Sequence, residues 1–440
     1  MKINRQNRKI SISKILTFFL ISFIVSSCLG SGGKESTISK EPSYMYALIE
    51  DGSVTLSSIE ENIEKNREFV VNSKTLDDNV LQYVIQYKET EFIVDIMITE
   101  IEGVNYYRNI HVIEDVEYEK VINTTNVVGT RMEFAGSNLE SFHFQLKLLN
   151  TIAPNLLAVV DYNSYTILAR KWVDMTAKSE IAPPPAYISG VFVVGDENED
   201  NVWLYTSGLR RVGSMEIEIV NSNRENYMYH YYILENLAQR IASYDYLPKS
   251  KEPIMAIRDV DLTWIPTKDA LKDVKKDRVG SLKSRENDDY KDTAVIYFYQ
   301  NENAAKSKKV SPMLDISDDL KSRTMFYINN EETARMSALA KERWEYPVKV
   351  LNNPKYEVQM KFAIPVDVLG RSSDSSEHMW FQIKEINGEE ATGILLNEPY
   401  DVAYMKLGDE VKLKKSQLTD WIILSDDERI VPDTAYKLEE

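Results

Sequence analysis

A single cysteine, Cys28, stands among the 440 residues, so no disulfide can form within the chain. Stability has to come from packing, and 43% hydrophobic residues supply the material. Histidine is scarce too: His111, His143, His230 and His378 are the four, and no two lie closer than 32 residues. Zinc sites draw three or four ligands, often closely paired, so no metal site is expected. His111 and Glu114 have a three-residue spacing, but in a strand-like stretch that spacing sends them to opposite faces. There is no Gly-x-Ser-x-Gly elbow, and Ser11–Lys14, a Ser-x-x-Lys, falls in the N-terminal segment, where it carries no catalytic meaning. "CLGSGGKES" (28–36) has Cys28 where a phosphate loop needs its first glycine and Glu35 where it needs Ser or Thr. No catalytic residue is assigned, and no cofactor is expected.

Positive charge is also in deficit. Lys and Arg number 52 against 69 Asp and Glu, for a formal net charge of −17. Such a body repels phosphate backbones and anionic headgroups, which excludes nucleic acid as a partner. The first 27 residues reverse the sign. Lys2, Arg5, Arg8, Lys9 and Lys14 form a basic stretch without an acid, followed by "ILTFFLISFIV" (15–25). Those 11 residues are about half the ~20 that a spanning helix needs. They fit the apolar core of a signal peptide. Small residues and Cys28 follow. The pattern resembles the lipobox of bacterial lipoproteins, which implies lipidation of Cys28 as the new N-terminus. Loss of residues 1–27 would remove five positive charges and shift the formal charge to −22. The expectation is attachment to a membrane of a bacterial envelope through lipid, with the body in the periplasm or on the surface.

The rest reads as multidomain α+β. After a flexible tether (28–41), residues 42–185 form an N-terminal α+β domain, 186–329 a middle α+β domain and 330–440 a C-terminal domain. In the first, "SSIEENIEKN" (57–66) suits a short helix, and "LQYVIQYK" and "EFIVDIMITEI" alternate as strands. "NIHVIEDVEYEKV" (109–121) reads as a third strand. Ser137 and Glu140 form a capping box before a helix, and "NLLAVVDY" (155–162) is a buried strand. "RKWVDMTAKSE" is helical and stops at Pro183–Pro185. In the second, "DENEDN" (196–201) is an acidic turn, "MAIRDVDLTWI" is one strand, and the dense charge run 268–292 is a solvated surface. Residues 231–244 form an amphipathic helix. In the third, a helix (331–346) precedes a strand with Val358, Met360, Phe362 and Ile364 on one face. Asn387-Gly388 predicts a hairpin that sets Phe381 opposite Ile394 and Trp380 opposite Leu395. The expected C-terminal fold is a small bent antiparallel sheet or partly open barrel packed on a helix.

Glu377-His378, Trp380, Gly393, Asn397, Pro399, Gly408-Asp409 and Asp420-Trp421 give the third region a pattern that resembles the YegJ-like family of uncharacterised bacterial domains. The region before it, with Trp203, Gly208-Leu209, Gly213 and Glu216, resembles the domain that accompanies it in one subgroup. The same spacing is faintly similar to suppressor-of-fused-like domains, some bacterial members of which imply immunity against toxins. The resemblance implies an architecture without a reaction. The reading that follows is a non-enzymatic binding protein of the envelope with a protein partner. An immunity-type protein and a hydrolase with an unrecognised site are the alternatives. The binding face is placed at His378, Trp380 and Trp421. Glu377 and His378, adjacent in a strand, point to opposite faces and do not make an acid-base pair.

Overall fold

The computed structural model describes residues 40–438 apart from 196–199, 245–246, 258–259, 277, 286–292, 319–320, 322–329, 368–374 and 427. Cys28, the segment before it and most of the tether lie outside the described residues. So do most of the acidic turn and the end of the charge run.

Three sheets follow one another along the chain. The first has eight strands: β1 (Ser43–Leu48), β2 (Phe69–Asp77), β3 (Val80–Tyr87), β4 (Thr90–Glu100), β5 (Arg108–Asn109), β6 (Asn126–Met132), β7 (Ala158–Asp161) and β8 (Thr166–Ala169). Their order is β2-β3-β4-β6-β1-β7-β8-β5. Leu81, Tyr83, Ile85 and Tyr87 alternate inward along β3, as the period-two pattern requires. Helices α1 (Leu56–Lys65) and α3 (Asn138–Ile152) each start on a side-chain cap, Thr55 and Ser137. Helix α2 (Asp115–Asn123) sits over a second, smaller cluster of Leu48, Val127, Val160 and Ile167.

Residues 109–121 are therefore not a strand. Only Arg108–Asn109 pairs, residues 110–114 form a connection, and α2 takes the remainder from Asp115. Asp115 and Glu117 at its first turn and Lys120 at its last complement the helix dipole, a local signal stronger than the apparent alternation.

The second sheet holds β9 (Gly190–Gly195), β10 (Val202–Ser207), β11 (Glu216–Ser222), β12 (Ile254–Ile257), β13 (Val260–Pro266), β14 (Thr293–Tyr299) and β15 (Ser311–Pro312). Its order is β12-β13-β14-β11-β10-β9, with β15 on β14, and β11 and β14 run parallel. "MAIRDVDLTWI" thus splits into two antiparallel strands, β12 and β13. Helix α4 (Arg170–Lys178) precedes the sheet, and α5 (Tyr227–Tyr244) buries Leu234, Leu237, Ala238 and Ile241. The charge run is not all solvated. Arg285 is buried and reaches Glu218 at 2.5 Å.

The third sheet is antiparallel and open: β16 (Glu357–Pro365), β17 (Ser376–Asn387), β18 (Glu390–Leu395), β19 (Glu410–Lys414), β20 (Leu418–Leu424) and β21 (Arg429–Ile430). The order is β19-β18-β17-β16-β20-β21, so it does not close into a barrel. Val358, Met360, Phe362, Ile364, Met379, Phe381 and Trp421 line its inner face, which packs on the helix Asn330–Glu342. The hairpin register differs from the Asn-Gly expectation. Gly388-Glu389 form the loop, a bulge falls between Ile383 and Glu385, and Phe381 stands opposite Leu395. Moving the turn and adding one bulge residue shifts the pairing by one. Among the described residues no helix is long and apolar enough to cross a membrane.

Candidate functional site

The outer face of the third sheet carries the polar chemistry. Directly opposite residues share a face. Trp380 stands opposite Lys361, and Lys361 opposite Asp420, so three neighbouring strands present a Trp–Lys–Asp row. The Lys361 ammonium lies 5.7 Å from the Trp380 ring centroid. One step along, His378 is exposed, with Nδ1 3.2 Å from the Thr419 hydroxyl. That hydroxyl donates to the Lys361 carbonyl at 3.2 Å, so the imidazole Nδ1–H is the donor to Thr419. Partial desolvation, then the charge of Lys361, holds His378 below its ordinary value. Burial pushes Asp420 up to about 6, against the pull of the Trp421 N–H and Lys361.

A loop runs along the β17 edge beyond β18 and is held by carboxylates. The Asn397 side-chain oxygen accepts from the Trp380 N–H at 3.0 Å, and Leu396 N–H donates to the Trp380 carbonyl at 2.8 Å. Glu377 accepts from the Tyr400 N–H at 2.9 and 3.0 Å and from the Asp401 N–H at 2.8 Å. Asp367 accepts from Ala403 N–H at 2.8 Å, and Asp409 from Lys406 N–H at 3.0 Å. Gly408 takes φ +87°, a conformation that L side chains rarely adopt. Val402 is buried beneath the loop, whereas Tyr400 is 92% exposed, with Tyr404 and Leu407 more than half exposed.

The expected binding residues therefore separate. His378 and Trp380 share the outer face. Trp421 is fully buried on the opposite face, beside Met360, and donates its indole N–H to Ala340 O at 3.2 Å. It is a core residue, because adjacent Asp420 and Trp421 must point to opposite sides of β20. Glu377 turns to the loop and His378 to Thr419, so the two form no dyad.

The remaining histidines are apart from one another. His111 is buried in a stack with Trp172 and Tyr187, and its Nδ1 is 3.3 Å from Tyr436 Oη. His143 meets the Thr176 carbonyl at 2.8 Å. His230 lies between the Ser222 hydroxyl, at 2.7 Å, and the Met313 carbonyl, at 3.3 Å. Burial holds His111 and His143 down to about 3 and His230 down to about 4. Among the described residues no group of three or more His, Cys, Asp or Glu is arranged to hold a metal ion.

Two buried charge clusters escaped the sequence reading. Glu218 accepts from Trp203 Nε1 at 2.6 Å, Thr267 Oγ1 at 2.5 Å and Arg285 at 2.5 Å. Arg211 and Asp161, both fully buried, pair through two N–H bonds of 3.0 and 2.7 Å. Ser164 and Asn163 complete the Asp161 shell. The motif residues of the middle region are structural here. Glu216 caps the turn by accepting from Gly208 N–H at 2.8 Å and Arg210 N–H at 3.2 Å. Gly208 takes φ +115°, and a Cβ there would come within 2.5 Å of Ile188 O. "EIEIV" was the available signal: two acids at period two inside an apolar strand need buried partners.

The molecule is thus a multidomain α+β protein built on three open, mostly antiparallel sheets. Residues 43–183 match the family model described as a protein of unknown function (DUF4026), N-terminal, and residues 191–297 match its C-terminal counterpart. Residues 336–436 match the model described as an uncharacterized protein conserved in bacteria (DUF2314). No curated protein and no solved structure matches the chain.

Proposed function

We propose that the chain is a lipid-anchored protein of a bacterial envelope, tethered through Cys28, whose YegJ-like third region binds a protein partner. The binding surface is the loop around Tyr400 with the neighbouring strand carrying His378 and Trp380. The tether rests on the basic, apolar and Cys28 pattern of the first 28 residues. One observation carries the binding reading: Tyr400 is 92% exposed on a backbone that the Glu377 carboxylate already fixes through Tyr400 and Asp401. Tyrosine offers a large amphipathic contact with few rotatable bonds. A loop ordered in advance loses little further entropy on binding, which favours affinity.

The test replaces Tyr400 with a benzophenone-bearing residue in the full chain, expressed in a bacterial host. Illumination is expected to join the chain to one envelope protein. An adduct no stronger than that from Glu302, on an exposed helix elsewhere, would defeat the binding reading. Labelled palmitate tests the tether separately. It is expected in the parent and absent from Cys28→Ala; equal labelling of both removes the lipoprotein reading.

A further inference from the structure

The first sheet ends on β2, a nine-residue edge strand. Phe69 is buried, and the eight residues after it are exposed. One side of β2 pairs with β3, and among the described residues the other pairs with no strand. The hairpin fixes which backbone groups face that free side. Asp77 and Val80 flank the two-residue loop Asp78-Asn79, with φ 42° and 66°. The pair flanking such a loop is hydrogen-bonded, and bonded and non-bonded pairs alternate from there. Asp77 and Thr75 therefore bond to β3. Leu76 and Lys74 aim their N–H and C=O outward.

Edges are usually guarded by lysines, prolines or bulges. Here the register shift between Val71 and Ser73 interrupts only the first half of the strand. Lys74, the one lysine of β2, is drawn to Glu60 of α1 at 3.0 Å. Leu76 and Val70 are each 59% exposed. The surroundings are acidic. Residues 43–183 hold 22 acids and 11 bases. Glu64, Asp77 and Asp78 are exposed and join no ion pair among the described residues. Glu60 and Glu64 lie near Tyr83, the partner of Lys74 across the ladder; after burial, their charges are the next causes of its raised phenol.

We propose that the Ser73–Asp77 half of β2 is a docking edge that takes an extended, cationic segment of a partner protein as an added strand. The outward groups of Lys74 and Leu76 supply main-chain hydrogen bonds. Alternate Lys or Arg residues of the incoming strand lie on the Asp77 face, near Asp78, its apolar residues cover Leu76 on the opposite face, and Glu64 adds to the acidic field. This is strand addition with charge selecting the partner. The surface is separate from the Tyr400 loop, and either can fail without the other.

The probe is a ten-residue peptide alternating valine and lysine, titrated by fluorescence anisotropy into the full chain in mild detergent. The control peptide carries glutamate in place of lysine. The lysine peptide is expected to bind at least about tenfold more tightly, with affinity falling as salt rises. Leu76→Pro removes an outward N–H while leaving the bonds to β3, so binding is expected to vanish with the circular dichroism and melting temperature unchanged. Glu64→Gln with Asp77→Asn, which needs no proline, is expected to weaken binding severalfold and to flatten its salt dependence. Binding undiminished in Leu76→Pro would show charge attraction without strand addition and overturn the proposal. Equal affinity for both peptides, or none for either, would overturn it too. So would a dimer that Leu76→Pro dissolves, since the occupant would then be a second copy.

Discussion

Acids inside the first two regions and acids around the third sheet share a chemistry and differ in what they hold. Asp161 and Glu218 are sunk among apolar side chains and face guanidinium groups, Arg211 and Arg285. Glu377, Asp367 and Asp409 receive backbone N–H groups from a surface loop instead. The first arrangement ties remote parts of the chain together: Arg211 in the second region reaches Asp161 in the first, 50 residues back. The second fixes a short loop and leaves an aromatic side chain in water. A carboxylate's role follows from its donors, because a buried charge needs a counter-charge while an exposed one needs only N–H groups.

The largest expected effect comes from breaking the buried pair. Arg211→Met leaves Asp161 charged, fully buried and short of two donors, which costs about 3–5 kcal/mol. Urea denaturation is expected to shift by that amount for Arg211→Met and by less for the double variant with Asp161→Leu, which leaves no lone charge. If the single variant loses no more than an exposed-pair variant such as Lys65→Ala, the contrast between buried and surface acids collapses. The exposed pair Lys65–Glu61 lies in water and is screened, so its loss is expected to leave stability close to the parent's.

Asp420 sits between the two extremes and gives the next effect. Its carboxyl is mostly buried and, among the described residues, forms no ion pair with a guanidinium, and its value rises from 3.8 to about 6. A raised folded value means the protonated form is favoured by folding. That stability is complete below about pH 3.8 and is lost as pH rises through about 6, a swing on the order of 3 kcal/mol. His111, His143 and His230 act in the opposite sense. Their folded values are depressed, so their contribution is present above about pH 6.5 and fades as pH falls towards 3–4. These three histidines therefore favour unfolding in acid, and Asp420 partly offsets this. Asp420→Asn keeps an acceptor for the Trp421 N–H and removes the charge. Relative to the parent, its melting temperature is expected to be higher at pH 7 and level at pH 4. A constant difference across that range would place Asp420 among the solvated carboxylates.

The third sheet was largely legible in the sequence because its partners are local and its pattern is two-sided. Val358, Met360, Phe362 and Ile364 alternate inward as read, and His378 and Trp380 fall on one face. The exact pairing was not legible, since one bulge residue near Lys384 leaves no local mark. β2 escaped because eight of its nine residues are exposed and no alternation remains. Arg285 escaped for a different reason: its partner lies 67 residues away, and a charge run looks solvated until that partner is known. Trp421 was misplaced because its sequence pattern does not say which face of β20 it takes; the register sets it opposite Met360, on the core side.

The smallest expected effect is the one that separates architecture from recognition in the loop. Glu377→Ala deprives Tyr400 and Asp401 of their N–H acceptor, at a cost of about 1–3 kcal/mol confined to the loop. Tyr400→Ala removes a side chain already in water, so stability is expected to move by less than about 0.5 kcal/mol. Hydrogen exchange is expected to quicken at residues 400–403 in Glu377→Ala and to stay unchanged in the interior of β17. In Tyr400→Ala neither region is expected to change. With partner capture measured from a benzophenone placed at Tyr404, both variants lose the adduct. Tyr400→Ala loses the contact, and Glu377→Ala loses the geometry that presents it. Full capture by Glu377→Ala with rapid exchange would show that the ordered loop contributes nothing to recognition.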